Sequence, residues 1–126
     1  FRSVAGYYLG KIRYESGDVT QAEQYLKEFF NDKPVDIMVS SAALMLSDID
    51  AQGNDMNGAV SYLNQGIKKS RDAHTSRMLE LSKARLFLKQ GNLEGAHGIV
   101  EGLLAKKDLS SNQKQAAEEI IGNIVG

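Results

Sequence analysis

Two histidines, His74 and His97, and sixteen carboxylate side chains are the groups with which this chain of 126 residues could do acid–base or metal chemistry. The histidines fall on different predicted elements, His74 in a loop before a fifth helix and His97 on a sixth. Neither is read with a carboxylate or second histidine at metal-ligand spacing, so both are expected to be surface histidines. Cysteine is absent, which excludes disulfides and thiolate metal sites. A glycine loop that cradles phosphate needs a strand before it, and no strand is predicted. An enzyme or small-ligand sensor needs titratable groups converging in an enclosed pocket, and no spacing here points to one. The expectation is a non-enzymatic chain without cofactor or metal.

Charge narrows the partners. The net charge is −1, so the chain as a whole has no electrostatic pull toward nucleic acid or anionic membrane. The charge is nevertheless uneven: residues 15–55 hold nine acidic and two basic side chains, and residues 64–90 hold seven basic and two acidic ones. Such polarity can orient a partner or steer an acidic segment, or it can be two solvated faces. Aromatic residues are not interleaved with the basic ones, which argues against single-stranded nucleic acid. No window reaches the ~18 apolar residues of a membrane span. The chain begins at Phe1 with no signal-like segment and reads as one domain of a longer protein.

The elements that position these groups are set by an internal repeat. Gly17–Phe30, Asn54–Ile67 and Gly91–Leu104 superpose under a constant shift of 37 residues without a gap. Ala22, Ala59 and Ala96 coincide, as do Val19, Met56 and Leu93; Tyr25, Tyr62 and Ile99; Leu26, Leu63 and Val100; Phe30, Ile67 and Leu104. Upstream, Gly10, Ser47 and Ala84 form a small-residue column, and Ile12, Ile49 and Leu86 an apolar one. Small residues let the two helices of a pair approach closely, where bulk would cost roughly 1–3 kcal/mol. Gly17, Asn54 and Gly91 suit the left-handed residue that ends a helix. Asp18, Asp55 and Asn92 follow as N-caps, and Asp18 with Gln21 makes a capping-box pattern.

The spacing predicts helix pairs near 2–16 and 19–31, 36–52 and 55–70, 75–90 and 93–106. Pro34 breaks the chain between the first two pairs. A seventh helix near 111–125 starts on a Ser110/Gln113 capping box and offers Ala116, Ala117, Ile120, Ile121 and Ile124 as one apolar face. Gly58, Gly66, Gly95, Gly98 and Gly102 lie inside predicted helices at about 1 kcal/mol each. They admit three readings: a close partner helix lying along the outer surface, tight packing within the array, or simple drift in a tolerant array.

The small residue in the first helix, the glycine turn, the alanine in the second helix and the late apolar pair resemble the tetratricopeptide repeat. The period departs from the ~34 residues of the common repeat, and the unit-ending proline stands only at Pro34. Units of this longer kind are similar to the repeat domain of membrane-anchored bacterial proteins related to the ancillary subunit of the Sec translocon. The resemblance implies an all-α, right-handed α-α superhelix of three hairpins with repeats at about 3–36, 40–73 and 77–109 and a capping helix at 111–125. It implies a scaffold that binds a protein or peptide on a concave face lined by Tyr7, Lys11, Tyr14, Leu44, Asp48, Met78, Leu81, Arg85 and Lys89. Tyr7 and Tyr14 are the anchor candidates, although Tyr7 and Leu44 can equally be packing residues. The family's clamp for C-terminal carboxylates is not expected, because Asp48 stands in the middle of the groove. The resemblance also implies an extracytoplasmic, periplasmic domain in secretion or envelope assembly. The alternatives are a cytoplasmic adaptor joined to another domain, and self-association through the capping helix or the array's ends.

Overall fold

The computed structural model describes residues 2–32 and 36–125. These residues form seven α-helices and no strand: α1 (Arg2–Glu15), α2 (Val19–Asn31), α3 (Asp36–Gln52), α4 (Met56–Lys69), α5 (Ala73–Lys89), α6 (Leu93–Leu104) and α7 (Ser111–Val125). Pro34, expected to break the chain after α2, lies outside the described residues. The chain divides into two compact units, residues 1–70 and 71–126.

The 37-residue shift is written into the backbone. Gly17, Asn54 and Gly91 take positive φ values of 86°, 62° and 79°. Around each, the same two hydrogen bonds close the preceding helix. The N–H of Asp18 donates to the Arg13 carbonyl at 2.9 Å, Asp55 to Asp50 at 2.8 Å and Asn92 to Phe87 at 2.8 Å. One residue earlier, Gly17 donates to Tyr14, Asn54 to Ala51 and Gly91 to Leu88, at 3.0–3.1 Å. Together these bonds satisfy the carbonyls that a helix end leaves free. The next helix then starts in the same way each time: Asp18 accepts from Gln21 N–H, Asp55 from Gly58 N–H and Asn92 from Gly95 N–H. At Asp18 the cap comes from the acid alone, since its own N–H is taken by Arg13.

In the first unit α1 packs on α2, α3 on α4, and α3 also on α1 and α2. Leu26, Phe29 and Phe30 of α2 share one core with Val39, Ala42, Ala43, Met45, Leu46 and Ile49 of α3. The small column works as expected: a Cβ added to Gly10 would stand 2.6 Å from Leu26 Cγ, and Ser47 is buried. In the second unit α5 packs on α6, and α7 lies against both. Ala84, Ala96, Val100, Ala117 and Ile120 form its core.

Two local expectations are corrected. His74 is not in a loop: Asp72 caps α5 by accepting from Thr75 N–H at 3.0 Å, so the helix begins at Ala73 and His74 lies in its first turn. Ser110 accepts from Gln113 N–H at 3.2 Å, but the Gln113 side chain does not complete a capping box. It donates instead to the His74 carbonyl at 2.8 Å and ties α7 to the start of α5. The apolar columns also differ in depth, because Ile49 is buried whereas Ile12, Val19 and Leu93 are exposed.

Candidate functional site

The predicted concave-face residues fall in both units, and each set stands by itself. In the first unit, the Tyr7 hydroxyl donates to Ser41 Oγ at 2.8 Å, and the Tyr14 hydroxyl donates to the Asp48 carboxylate. The donors are seven residues apart on α1, and the acceptors seven apart on α3. Two turns on one helix match two turns on the other, so α1 and α3 run parallel and in register. Asp48 also accepts from Gln52 Nε2 at 2.8 Å. The hydrogen bond to Asp48 pushes the Tyr14 phenol up to about 12, with burial and the carboxylate's charge adding to it.

Exposure sorts the candidates. Tyr7 is 6% exposed, its ring 5.4 Å from that of Phe29. It is a core residue whose hydroxyl is already satisfied, and it offers a partner little surface. Leu81 is buried in the core of the second unit. Tyr14, Leu44 and Asp48 are half-buried, and Lys11, Met78, Arg85 and Lys89 are exposed. The first unit therefore presents Lys11, Tyr14, Leu44 and Asp48 along neighbouring parallel helices, with the tyrosine and the aspartate tied to each other. The second presents Met78, Arg85 and Lys89 on α5.

At the start of α4 a different polar group gathers. A Cβ on Gly58 would lie 2.5 Å from carboxylate oxygens of both Asp50 and Asp55, so a side chain here would oblige both carboxylates to move. Burial raises the Asp50 carboxyl, nearby Asp55 and Glu23 raise it further, and Lys27 opposes them. Burial likewise raises the Tyr62 phenol. Lys27 pairs with Glu23 one turn away on α2, which raises its ammonium above the ordinary value.

In the second unit, a groove of about 420 Å³ runs between α5 and α6, lined by Ser76, Arg77, Glu80, Gly98, Gly102 and Lys106 among others. Gly98 and Gly102 have open space where a Cβ would stand, whereas a Cβ on Gly95 would press on Asn92 and Phe87. Close packing accounts for Gly58 and Gly95, and not for Gly98 or Gly102. Arg77 is committed elsewhere: it pairs with Asp108 at 2.9 Å, pinning the α6–α7 connection and lowering the Asp108 carboxyl.

His97 does have a carboxylate neighbour, contrary to the sequence reading. Glu101, one turn on, places an oxygen 3.5 Å from His97 Nδ1. The pair is exposed, and among the described residues no group of three or more His, Asp or Glu residues could hold a metal ion. Among them, too, no helix is long and apolar enough to cross a membrane.

Sequence reasoning missed the outer face of α1, where Tyr8, Leu9 and Ile12 are exposed. The 37-residue shift was the available signal that these residues form a packing face, since it pairs them with Met45, Leu46 and Ile49, but it does not tell whether that face is covered. No family model matches the chain, and no curated protein matches it.

Proposed function

We propose that this chain is a tetratricopeptide-type scaffold, a right-handed helical repeat without catalytic function that binds a protein or peptide through the faces of its first helices. The observation that carries the reading is the threefold recurrence of one turn-and-cap geometry at Gly17–Asp18, Asn54–Asp55 and Gly91–Asn92. With it goes the parallel register of α1 and α3. Repeats of this kind build extended binding surfaces and no enclosed pocket. In this reading Lys11, Tyr14, Leu44 and Asp48, and on the other unit Met78, Arg85 and Lys89, meet the partner, while Tyr7 and Leu81 hold the helices that carry them. The setting is extracytoplasmic, in secretion or envelope assembly, by resemblance to the repeat domains of membrane-anchored bacterial proteins.

Photocrosslinking residues placed separately at Lys11, Asp48 and Arg85 test this. Each is expected to trap a protein partner in cells, and Lys11→Ala with Arg85→Ala to reduce its recovery by roughly tenfold, the weight of a few central contacts. Crosslinks from control positions on α2 or α6, with none from these three, would move the site to the second helices.

A further inference from the structure

The repeat shows what ought to cover the exposed outer face of α1. At about 100° per residue, Gly6 and Gly10 face α2, Tyr7 and Tyr14 face α3, and Ala5, Tyr8, Leu9 and Ile12 form a stripe on the far side. Tyr8, Leu9 and Ile12 are 50%, 42% and 59% exposed. The equivalent residues of α3, 37 positions on, are Ala42, Met45, Leu46 and Ile49, and these are at most 8% exposed. They are buried because α2 brings Leu26, Phe29 and Phe30 into the same core. The α1 stripe thus has the shape and chemistry of a seat for a helix of the α2 type.

The charges around the two seats are opposite. Beside the α3 seat stand Asp48, which accepts from Tyr14 of α1, and Asp50, which lies within electrostatic reach of Lys27 of α2. The equivalent positions on α1 are Lys11 and Arg13, both exposed. Where α3 offers carboxylates at these two positions to the hairpin seated on it, α1 offers cations, and the one carboxylate of α1 is Glu15 in its last turn. A copy of α2 would bring Lys27 toward Arg13, and like charges across a joint are unfavourable.

We propose that the Ala5–Tyr8–Leu9–Ile12 face of α1 is the docking surface for an acidic amphipathic helix of a partner protein, seated as α2 is on α3, with carboxylates meeting Lys11 and Arg13. Its apolar face carries large residues at the positions of Leu26, Phe29 and Phe30. This surface borders the proposed concave face at Lys11 and is otherwise separate from it, and the proposal does not rest on that reading.

The test uses the whole chain and two synthetic peptides of residues 18–32, stapled on the polar face to hold them helical. One has the natural sequence, and the other carries Lys27→Glu. In an amide-resonance titration the Lys27→Glu peptide is expected to shift Ala5, Tyr8, Leu9 and Ile12. It is also expected to bind about three- to fivefold more tightly than the natural sequence, the range of an exposed ion pair. Arg13→Glu reverses the preference. Ile12→Asp, at an exposed position where circular dichroism verifies the fold, abolishes binding of both peptides. Absence of binding, shifts confined to other helices, or equal affinities for the two peptides overturn the proposal. So does a dimer seen by sedimentation and abolished by Ile12→Asp, which would assign the face to a second copy of the chain.

Discussion

Tyr14 and Asp48 set a pH signature at a single pair of side chains. The Tyr14 phenol titrates near 12 in the folded chain against 10.0 for a free tyrosine. The folded state holds this proton more tightly than the unfolded state. The stabilisation is therefore fully present below about pH 10 and is lost as pH rises toward about 12. Tyr62, raised by burial, contributes with the same sign. In absorbance titrations of the five tyrosines, Tyr14→Phe is expected to remove a late-titrating phenol. Its denaturation midpoint should fall less steeply than that of the natural chain between pH 10 and 12. Equal slopes would mean that the hydrogen bond to Asp48 does not persist in solution. The concave-face hypothesis gains a constraint from the same pair: Tyr14 and Gln52 both donate to Asp48 Oδ2, so a ligand that approaches this oxygen competes with them, whereas Oδ1 is the oxygen it can meet without displacing either.

Turns and caps belong to the scale of the element, and there the repeat was most legible. A left-handed residue followed by an N-cap is a local requirement, so Gly17–Asp18, Asn54–Asp55 and Gly91–Asn92 could be placed from their chemistry alone. Helix ends followed to within about two residues. Tertiary choices were not legible in the same way. Gln113 had a local option as half of a capping box, and the His74 carbonyl of another helix took it. Asp72, unremarked in the sequence, moved the start of α5 ahead of His74. Among the three turns, Asn54 alone carries a side chain at positive φ. Asn54→Gly is expected to stabilise the protein by about 0.5–1 kcal/mol, and Gly17→Ala or Gly91→Ala to destabilise it by about 1–2 kcal/mol. Denaturant midpoints measured at constant m-value decide this. A destabilising Asn54→Gly would show that the Asn54 side chain contributes more than its backbone strain costs.

At the scale of the whole molecule, the candidate site was less legible than the fold for a physical reason. Equivalence under a 37-residue shift identifies which residues play the same packing role, but exposure depends on what is stacked on each copy. Tyr7, readable by type as anchor or as packing residue, is buried, while Tyr8 and Leu9, not singled out, and Ile12, aligned with the buried Ile49, lie open. The same distinction applies to the glycines of α6. A Cβ on Gly95 would crowd the Asn92 and Phe87 side chains, whereas Gly98 and Gly102 have nothing within 4 Å of an added Cβ. Each of the latter costs the helix about 1 kcal/mol relative to alanine with no packing gain to offset it. Gly98→Ala with Gly102→Ala is therefore expected to raise the opening free energy of the slowest-exchanging α6 amides by about 1–2 kcal/mol in native-state hydrogen exchange. Both glycines line the α5–α6 groove, so the double variant also asks whether that groove is occupied. Increased protection with unchanged partner recovery assigns the glycines to tolerance in the array. Increased protection with lost recovery makes the groove a second contact surface beside the exposed cations of α5.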